Sequence, residues 1–166
     1  MTETKHMRLI IDLQKCDNCD TCSVSCGYHD RPHAYENGIS GLRERATFAL
    51  VCRRCAIASC VDACAFNALE RDQAGILHRH NMRCVSCKMC AHACPFGTIY
   101  TETLTFYQVN CDVCLEKEGG VPACVSSCKY DALEFRPTDP SEPEVHIVDQ
   151  HLAARTKPWV RREVSS

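Results

Sequence analysis

At 166 residues the chain has room for one domain or two small ones, and its formal charge of −2 offers no basic footprint for nucleic acid. The 45% hydrophobic fraction overstates the side-chain core, because sixteen of those residues are cysteine. No apolar run approaches the roughly 20 residues of a membrane span, and residues 1–13 hold no apolar h-region or small-residue cleavage site, so neither a span nor a signal peptide is expected.

Residues 8–13 are apolar-rich and predict a short strand leading into Cys16, Cys19, Cys22 and Cys26. Residues 30–45, polar and containing Pro32, Gly38 and Gly41, read as a connecting loop. A second short strand is expected at 48–51, ahead of Cys52, Cys55, Cys60 and Cys64. Residues 68–80 read as a hairpin with its turn at Asp72-Gln73-Ala74-Gly75; the strand at 75–80 precedes Cys84, Cys87, Cys90 and Cys94. A strand at 104–109 precedes Cys111, Cys114, Cys124 and Cys128. In each group the third cysteine is expected to open a helical turn, and an aromatic follows the fourth by two residues: Tyr28, Phe66, Phe96 and Tyr130. Leu69, Ile99 and Leu133 come three positions later and begin a return strand. Past Phe135, the run from Arg136 to Pro143 is turn-rich, and residues 145–149 predict a strand. Residues 150–166 form a cysteine-free tail in which Leu152, Trp159 and Val160 stand among Arg155, Lys157, Arg161 and Arg162.

The sixteen cysteines thus form four groups of four, each closing on a Cys-x-x-x-Cys step. C-x2-C-x2-C-x3-C is the spacing of a [4Fe–4S] ligand run, in which three thiolates hold one cluster and the fourth reaches another. With no cysteine left over, the count predicts four clusters. A disulfide scaffold needs a secreted chain and poorly suits repeated close pairs. Zinc competes at the second and fourth groups, whose middle cysteines are widely spaced, but rarely requires the regular spacing of the first and third. A redox dithiol would use one pair and leave the others unexplained.

An oxidised cluster with its four thiolates contributes about −2, so four of them would take the chain to roughly −10. Arg53, Arg54, Arg83, Lys88 and Lys129, beside the ligands, are the expected compensation. With so small an apolar core the metal centres are expected to serve as core, leaving the apoprotein largely unfolded.

The repeated organisation predicts an α+β fold: tandem, nested bacterial ferredoxin-like units of small strands and short helices around four clusters. The inner two-cluster unit spans residues 46–103, and the outer one combines 1–30 with 104–149, leaving 150–166 as a docking tail.

The run from Cys84 to Gly97, and Cys111-Asp112-Val113-Cys114 followed by Gly120-Val121-Pro122-Ala123-Cys124, resemble the four-cluster ferredoxin-like electron-transfer subunits. These accompany formate dehydrogenases, hydrogenases, carbon monoxide dehydrogenase, dimethyl sulfoxide reductase and tungsten aldehyde oxidoreductases. The resemblance covers about residues 7–149. It implies crossed ligation: Cys16, Cys19 and Cys22 with Cys128; Cys111, Cys114 and Cys124 with Cys26; Cys52, Cys55 and Cys60 with Cys94; Cys84, Cys87 and Cys90 with Cys64. It further implies a non-catalytic, cytoplasmic subunit in a hetero-oligomer. Its partners would be a large catalytic subunit, best a tungsten- or molybdenum-pterin enzyme such as an aldehyde oxidoreductase or formate dehydrogenase, and a flavin-containing subunit. The alternative is a free polyferredoxin that diffuses between partners. Only Cys94 is followed by proline, where the family pattern has one more generally; Gly27, Ala65 and Lys129 follow the others. Lys129 is expected to raise the potential of the cluster beside it.

The four aromatics are expected to pack as a dry shell over the cluster edges. His92, between Cys90 and Cys94, is expected on the surface, since each motif is complete without it. Trp159 among arginines is expected to anchor an interface. No Walker loop, Gly-x-Gly-x-x-Gly or His-Glu-x-x-His motif points to substrate chemistry.

Overall fold

The computed structural model describes residues 6–17, 19, 22–26, 38–104, 111 and 120–157. It is a mixed helix and strand fold with two small sheets. Strand β1 (Met7–Asp12) pairs antiparallel with β4 (Leu133–Pro137) and parallel with β6 (Leu152–Arg155), which pairs antiparallel with β5 (Val145–Ile147). The four-stranded order is β4-β1-β6-β5, so the two middle strands are buried on both faces. Leu9, Ile11, Leu152 and Ala154 point to one core with Leu133, and Ile10, Ala153 and Val145 pack on the opposite face. Arg8 is buried beside that face, donating from Nε to the Asp149 carbonyl at 3.1 Å and from Nη1 to the Thr138 hydroxyl at 2.6 Å.

β1 ends where the Asp12 carboxylate accepts the backbone N–H groups of Gln14 and Lys15 (3.1 and 3.0 Å), capping α1 (Leu13–Asp17). The second sheet is the hairpin of β2 (Leu69–Arg71) and β3 (Leu77–Arg79). Its turn is the expected one: Gly75, at φ +76°, donates to the Asp72 carbonyl, and the Asp72 side chain accepts the Ile76 N–H.

The connection from 30 to 45 differs from the loop expected there. Residues 30–37 lie outside the described residues, but Ile39–Val51 is α2, the longest described helix. The strand expected at 48–51 is its last turn. Ile39, Leu42, Ala46 and Leu50 fall at helical spacing on the first core, and Phe48 turns to a second core with Leu69, Leu77, Ile99 and Leu104. Gly38 and Gly41 suggested a loop, yet burial of this stripe outweighs the propensity cost of about 1 kcal/mol that a helical glycine carries. The helix stops as Cys52 becomes extended (φ −60°, ψ 130°), which delivers the second cysteine group.

Three ion pairs fix α2 to its surroundings. Arg43 meets Asp17 at 2.6 Å, Arg45 meets Asp149, and Arg79 of β3 forks onto Glu44 at 2.8–3.0 Å with both side chains almost fully buried.

The segment after 150 is also more than a tail. Leu152, Ala153 and Ala154 are 0% exposed inside the sheet, so residues 152–155 belong to the fold. Trp159 and the residues after it lie outside the described residues, as do residues 105–109 of the fourth expected strand.

Candidate metal centres

The second, third and fourth groups share one local design. Cys60, Cys90 and Cys124 lie in the short helices α3 (Ser59–Asp62), α4 (Met89–Ala93) and α5 (Ala123–Ser127). Cys22 departs from expectation, since it stands in irregular backbone and the helix of that group, α1, holds Cys16 instead.

A tight turn follows the fourth cysteine each time. Asn67, Gly97 and Asp131, three residues on, adopt φ of +49°, +60° and +49° and donate back to the carbonyls of Cys64, Cys94 and Cys128 (3.1–3.3 Å). The next residue then aims at sulfur: Ala68 N–H to Cys64 Sγ at 3.2 Å, Ala132 N–H to Cys128 Sγ at 3.4 Å, and the Thr98 hydroxyl 3.4 Å from Cys94 Sγ. Leu69, Ile99 and Leu133 come next and are buried, anchoring each turn. These donors stabilise thiolate and tune a bound cluster. The signal was present in the sequence as Asn, Gly and Asp at one repeat position, the residue types that tolerate a left-handed backbone.

One cavity of about 420 Å³ is lined by Cys16, Cys19, Cys22 and Cys128, with Lys129, Tyr130 and Arg43 at its walls. A smaller cavity is lined by Cys64, Cys84, Cys87 and Cys90 with Phe66. Cys52, Cys60 and Cys94 pack on the second core, and Cys111 and Cys124 on the first. Cys26 and Cys55 are partly buried, and Cys114 lies outside the described residues. A four-cysteine zinc site would hold its sulfurs about 3.8 Å apart. Among the described residues no three cysteines are gathered into a single-ion site.

Burial pushes the Cys16 thiol up to about 11, with Arg43 opposing and Cys22, Asp17 and Cys128 adding to the rise. Burial likewise takes Cys90 to about 11, reinforced by Cys84 and Cys64 despite the Ala91 N–H, and raises Cys60, to which Cys52 and Cys94 add. For Cys94 burial also works upward, but hydrogen bonds from Thr98, Phe96 and Gly97 win and hold it below the usual thiol value. Crowded, partly buried thiols of this kind suit a polynuclear centre whose iron displaces their protons.

The expected compensating charges are only partly the ones in place. Lys129 and Lys88 do line the two cavities. Arg53 instead lies over the Phe96 ring at 6.0 Å, while Arg54 and Arg83 bond the carbonyls of Ala49 and Asn67. The missed cations sit on α2 and β3: Arg43 acts on Cys16, Arg45 on Cys111, and Arg79 hydrogen-bonds Cys84. Phe66 and Tyr130 line the cavities as expected, yet with Phe96 they stay about half exposed (48–58%), so they wall the sites without sealing them. Tyr28 lies outside the described residues. His92 is exposed, as expected.

Gly38, at the start of α2, leaves no room for a side chain: a Cβ there would stand 2.7 Å from Cys111 Cβ. Gly38→Ala is therefore expected to push the helix off Cys111, costing about 1–3 kcal/mol. Iron retained through anaerobic gel filtration should fall relative to the parent chain; unchanged retention would show that the contact yields freely.

Such a set of cysteine-lined cavities on a small two-sheet fold defines a ferredoxin-like iron–sulfur protein. The chain belongs to the 4Fe-4S dicluster domain family, which matches residues 44–138. It is 33% identical over 153 residues to the thiosulfate reductase electron transfer subunit PhsB of Salmonella typhi, covering 84% of this chain and 80% of that one. It is 28% identical over 155 residues to a subunit of the anaerobic dimethyl sulfoxide reductase of Escherichia coli (82% and 76% covered). The electron transport protein HydN of Escherichia coli is 29% identical over 150 residues (75% and 85% covered). The chain is thus an electron-transport protein that binds [4Fe–4S] clusters. Among the described residues no helix is long and apolar enough to cross a membrane.

Proposed function

We propose that this chain is the electron-transfer subunit of a cytoplasmic oxidoreductase complex, holding four [4Fe–4S] clusters in crossed ligand sets. The observation that carries the reading is the cavity walled by Cys16, Cys19, Cys22 and Cys128, residues more than a hundred positions apart. The β1–β4 pairing that joins those two segments supports an outer unit made from both ends of the chain. The second cavity, with Cys64 beside Cys84, Cys87 and Cys90, supports the inner pair. Cys94 acting on Cys60 supports the third set. Cys26 with Cys111, Cys114 and Cys124 rests on the family resemblance.

When bound, each cluster accepts and releases single electrons at a potential set by its surroundings. The chain's own residues hold the sulfurs, supply N–H donors to them, and place cations nearby. Arg43 is expected to stabilise the more negative reduced state, so Arg43→Gln should lower one midpoint potential by on the order of tens of millivolts. Asp17, which shares this exposed arginine, keeps the effect modest. Potentiometric titration followed by electron paramagnetic resonance reads the shift, and no movement of any signal would remove Arg43 from this role.

The relatives named for thiosulfate and dimethyl sulfoxide reductases support a large catalytic partner. Within that class a tungsten- or molybdenum-pterin oxidoreductase is the choice, with a flavin-containing subunit as the second redox partner. Exposed Met82, Val85 and Met89, on the loop around Cys87 and the start of α4, offer an adaptable apolar contact near one cavity, where electrons would pass to such a partner.

Anaerobic affinity purification from the native host tests the assembly. A co-eluting catalytic subunit and about sixteen iron and sixteen sulfide per chain are expected. A lone, fully loaded chain would favour the diffusing polyferredoxin. Crossed ligation has its own test: Cys128→Ala should alter the spectroscopic signal of the cluster held by Cys16, Cys19 and Cys22. Loss of the signal assigned to Cys111, Cys114 and Cys124 instead would mean that each group binds its own cluster.

A further inference from the structure

The β2–β3 hairpin presents a second group of metal ligands, none of them cysteine. In β3 the side chains of Leu77 and Arg79 turn inward and are buried, so His78 faces outward; His80, two residues on, takes the same side. His80 extends the ladder by donating its backbone N–H to the Ala68 carbonyl at 2.8 Å. Glu70 of β2 is the direct cross-strand partner of His78. One ligand atom from each of Glu70, His78 and His80 lies within 4.8 Å of the others.

Two observations make this more than three polar neighbours. The imidazoles meet edge to face with centroids 4.8 Å apart, which brings ring nitrogens together. The Nε2 atom of His80 is shielded from solvent and lies 2.7 Å from Glu70 Oε1, an ion-pair contact without the alignment of a hydrogen bond. Nitrogen and carboxylate are thus held at a distance that a proton on the ring closes and that a metal ion bound to both would replace. A cation in that place would satisfy both.

We propose that Glu70, His78 and His80 bind one divalent transition-metal ion of the zinc class. Two imidazoles and a carboxylate favour zinc, copper or nickel over magnesium or calcium, which prefer all-oxygen shells. Bonds of about 2.0–2.2 Å to nitrogen and oxygen place donor atoms about 3.3 Å apart, so small side-chain rotations suffice to close the set. The partner strands already fix the register, and the Asp72–Gly75 turn fixes the hairpin end. Glu70 and His78 are exposed, which leaves the fourth position open to water. The ion would clip β2 to β3 and place positive charge on the hairpin that joins the second and third cysteine groups. The proposal does not depend on how those groups share their clusters.

The test uses the anaerobically purified, cluster-loaded chain dialysed against zinc chloride. One zinc per chain is expected with iron unchanged, and zinc-edge X-ray absorption should show nitrogen and oxygen neighbours without sulfur. His78→Ala and, separately, Glu70→Gln should each weaken zinc binding at least about tenfold while iron content stays at the parent level. Zinc bound with sulfur neighbours, zinc held equally by both variants, or no zinc retained by the parent chain would each overturn the proposal. Should His78→Ala also lose iron, Glu70→Gln decides the outcome, because it keeps size and shape on an exposed strand position.

Discussion

A chain ending at Asp149 is expected to lose about half of its iron, because the cut removes β6 from the middle of the sheet. Leu152, Ala153 and Ala154 are wholly buried between β1 and β5, and Arg155 forks onto Glu134 of β4. Burial of the leucine alone is worth about 1.5–3 kcal/mol. Without β6, β5 has no partner strand among the described residues, and β1 is bared along one edge. Cys16, Cys22, Cys124 and Cys128 all pack on the core that β6 completes, so their ligand sets should open while the hairpin side survives. Iron and sulfide analysis of the purified truncation reads the loss. Full iron content would show that β6 only decorates the sheet. A cut after Lys157 is the contrasting case: it spares β6, should keep all the iron, and removes Trp159. If that segment docks the catalytic partner, this shorter truncation weakens assembly and nothing else.

Arg79→Met should destabilise the loaded protein by about 3–5 kcal/mol, since it leaves Glu44 buried without its partner. Both side chains are almost completely enclosed, at 1% and 6% exposure. Burial pushes the Glu44 carboxyl above the usual range, with the Arg79 hydrogen bond and charge opposing the rise. Burial works against the Arg79 charge, but Glu44 and Cys84 outweigh it and hold the guanidinium above its ordinary value. The sign of the pH dependence follows from Glu44. A carboxyl raised on folding contributes stability fully below its unfolded value and loses that contribution as pH climbs through the folded one. Removing Arg79 raises it further, so the variant's deficit should widen from mildly acidic to neutral pH. Anaerobic guanidinium unfolding at both pH values measures it. The double variant Glu44→Leu with Arg79→Met should recover most of the loss, as an apolar pair replaces an ionic one. A single variant as stable as the parent would mean that the pair contributes nothing.

Much of the site was legible because covalent spacing enforces it. Three cysteines two residues apart can wrap one corner of a cluster whatever surrounds them, and Leu69, Ile99 and Leu133 after the last three groups proved to be buried anchors. The hairpin turn was legible for the same local reason, with Asp72 and Gly75 supplying a side-chain acceptor and a positive φ. The left-handed residues after Cys64, Cys94 and Cys128 were legible in principle as Asn67, Gly97 and Asp131, since only local sterics select them.

What the sequence determined by itself is therefore the chemistry: the ligand type, the number of ligand groups, and the turns that present them. Only the tertiary structure decided that residues 39–51 form a helix, because Gly38 and Gly41 argue for a loop until Leu42, Ala46 and Phe48 are seen between two cores. It also decided that residues 152–155 are a central strand, since a three-residue apolar run followed by Arg155 acquires meaning only from the β1 and β5 edges beside it. The charges that face the cysteines belong to the same category. Arg43, Arg45 and Arg79 are distant in sequence from most of the thiols they act on, and the packing of α2 and β3 brings them there. Local geometry is written residue by residue, whereas burial and electrostatic proximity depend on which elements meet, and that is a property of the whole fold.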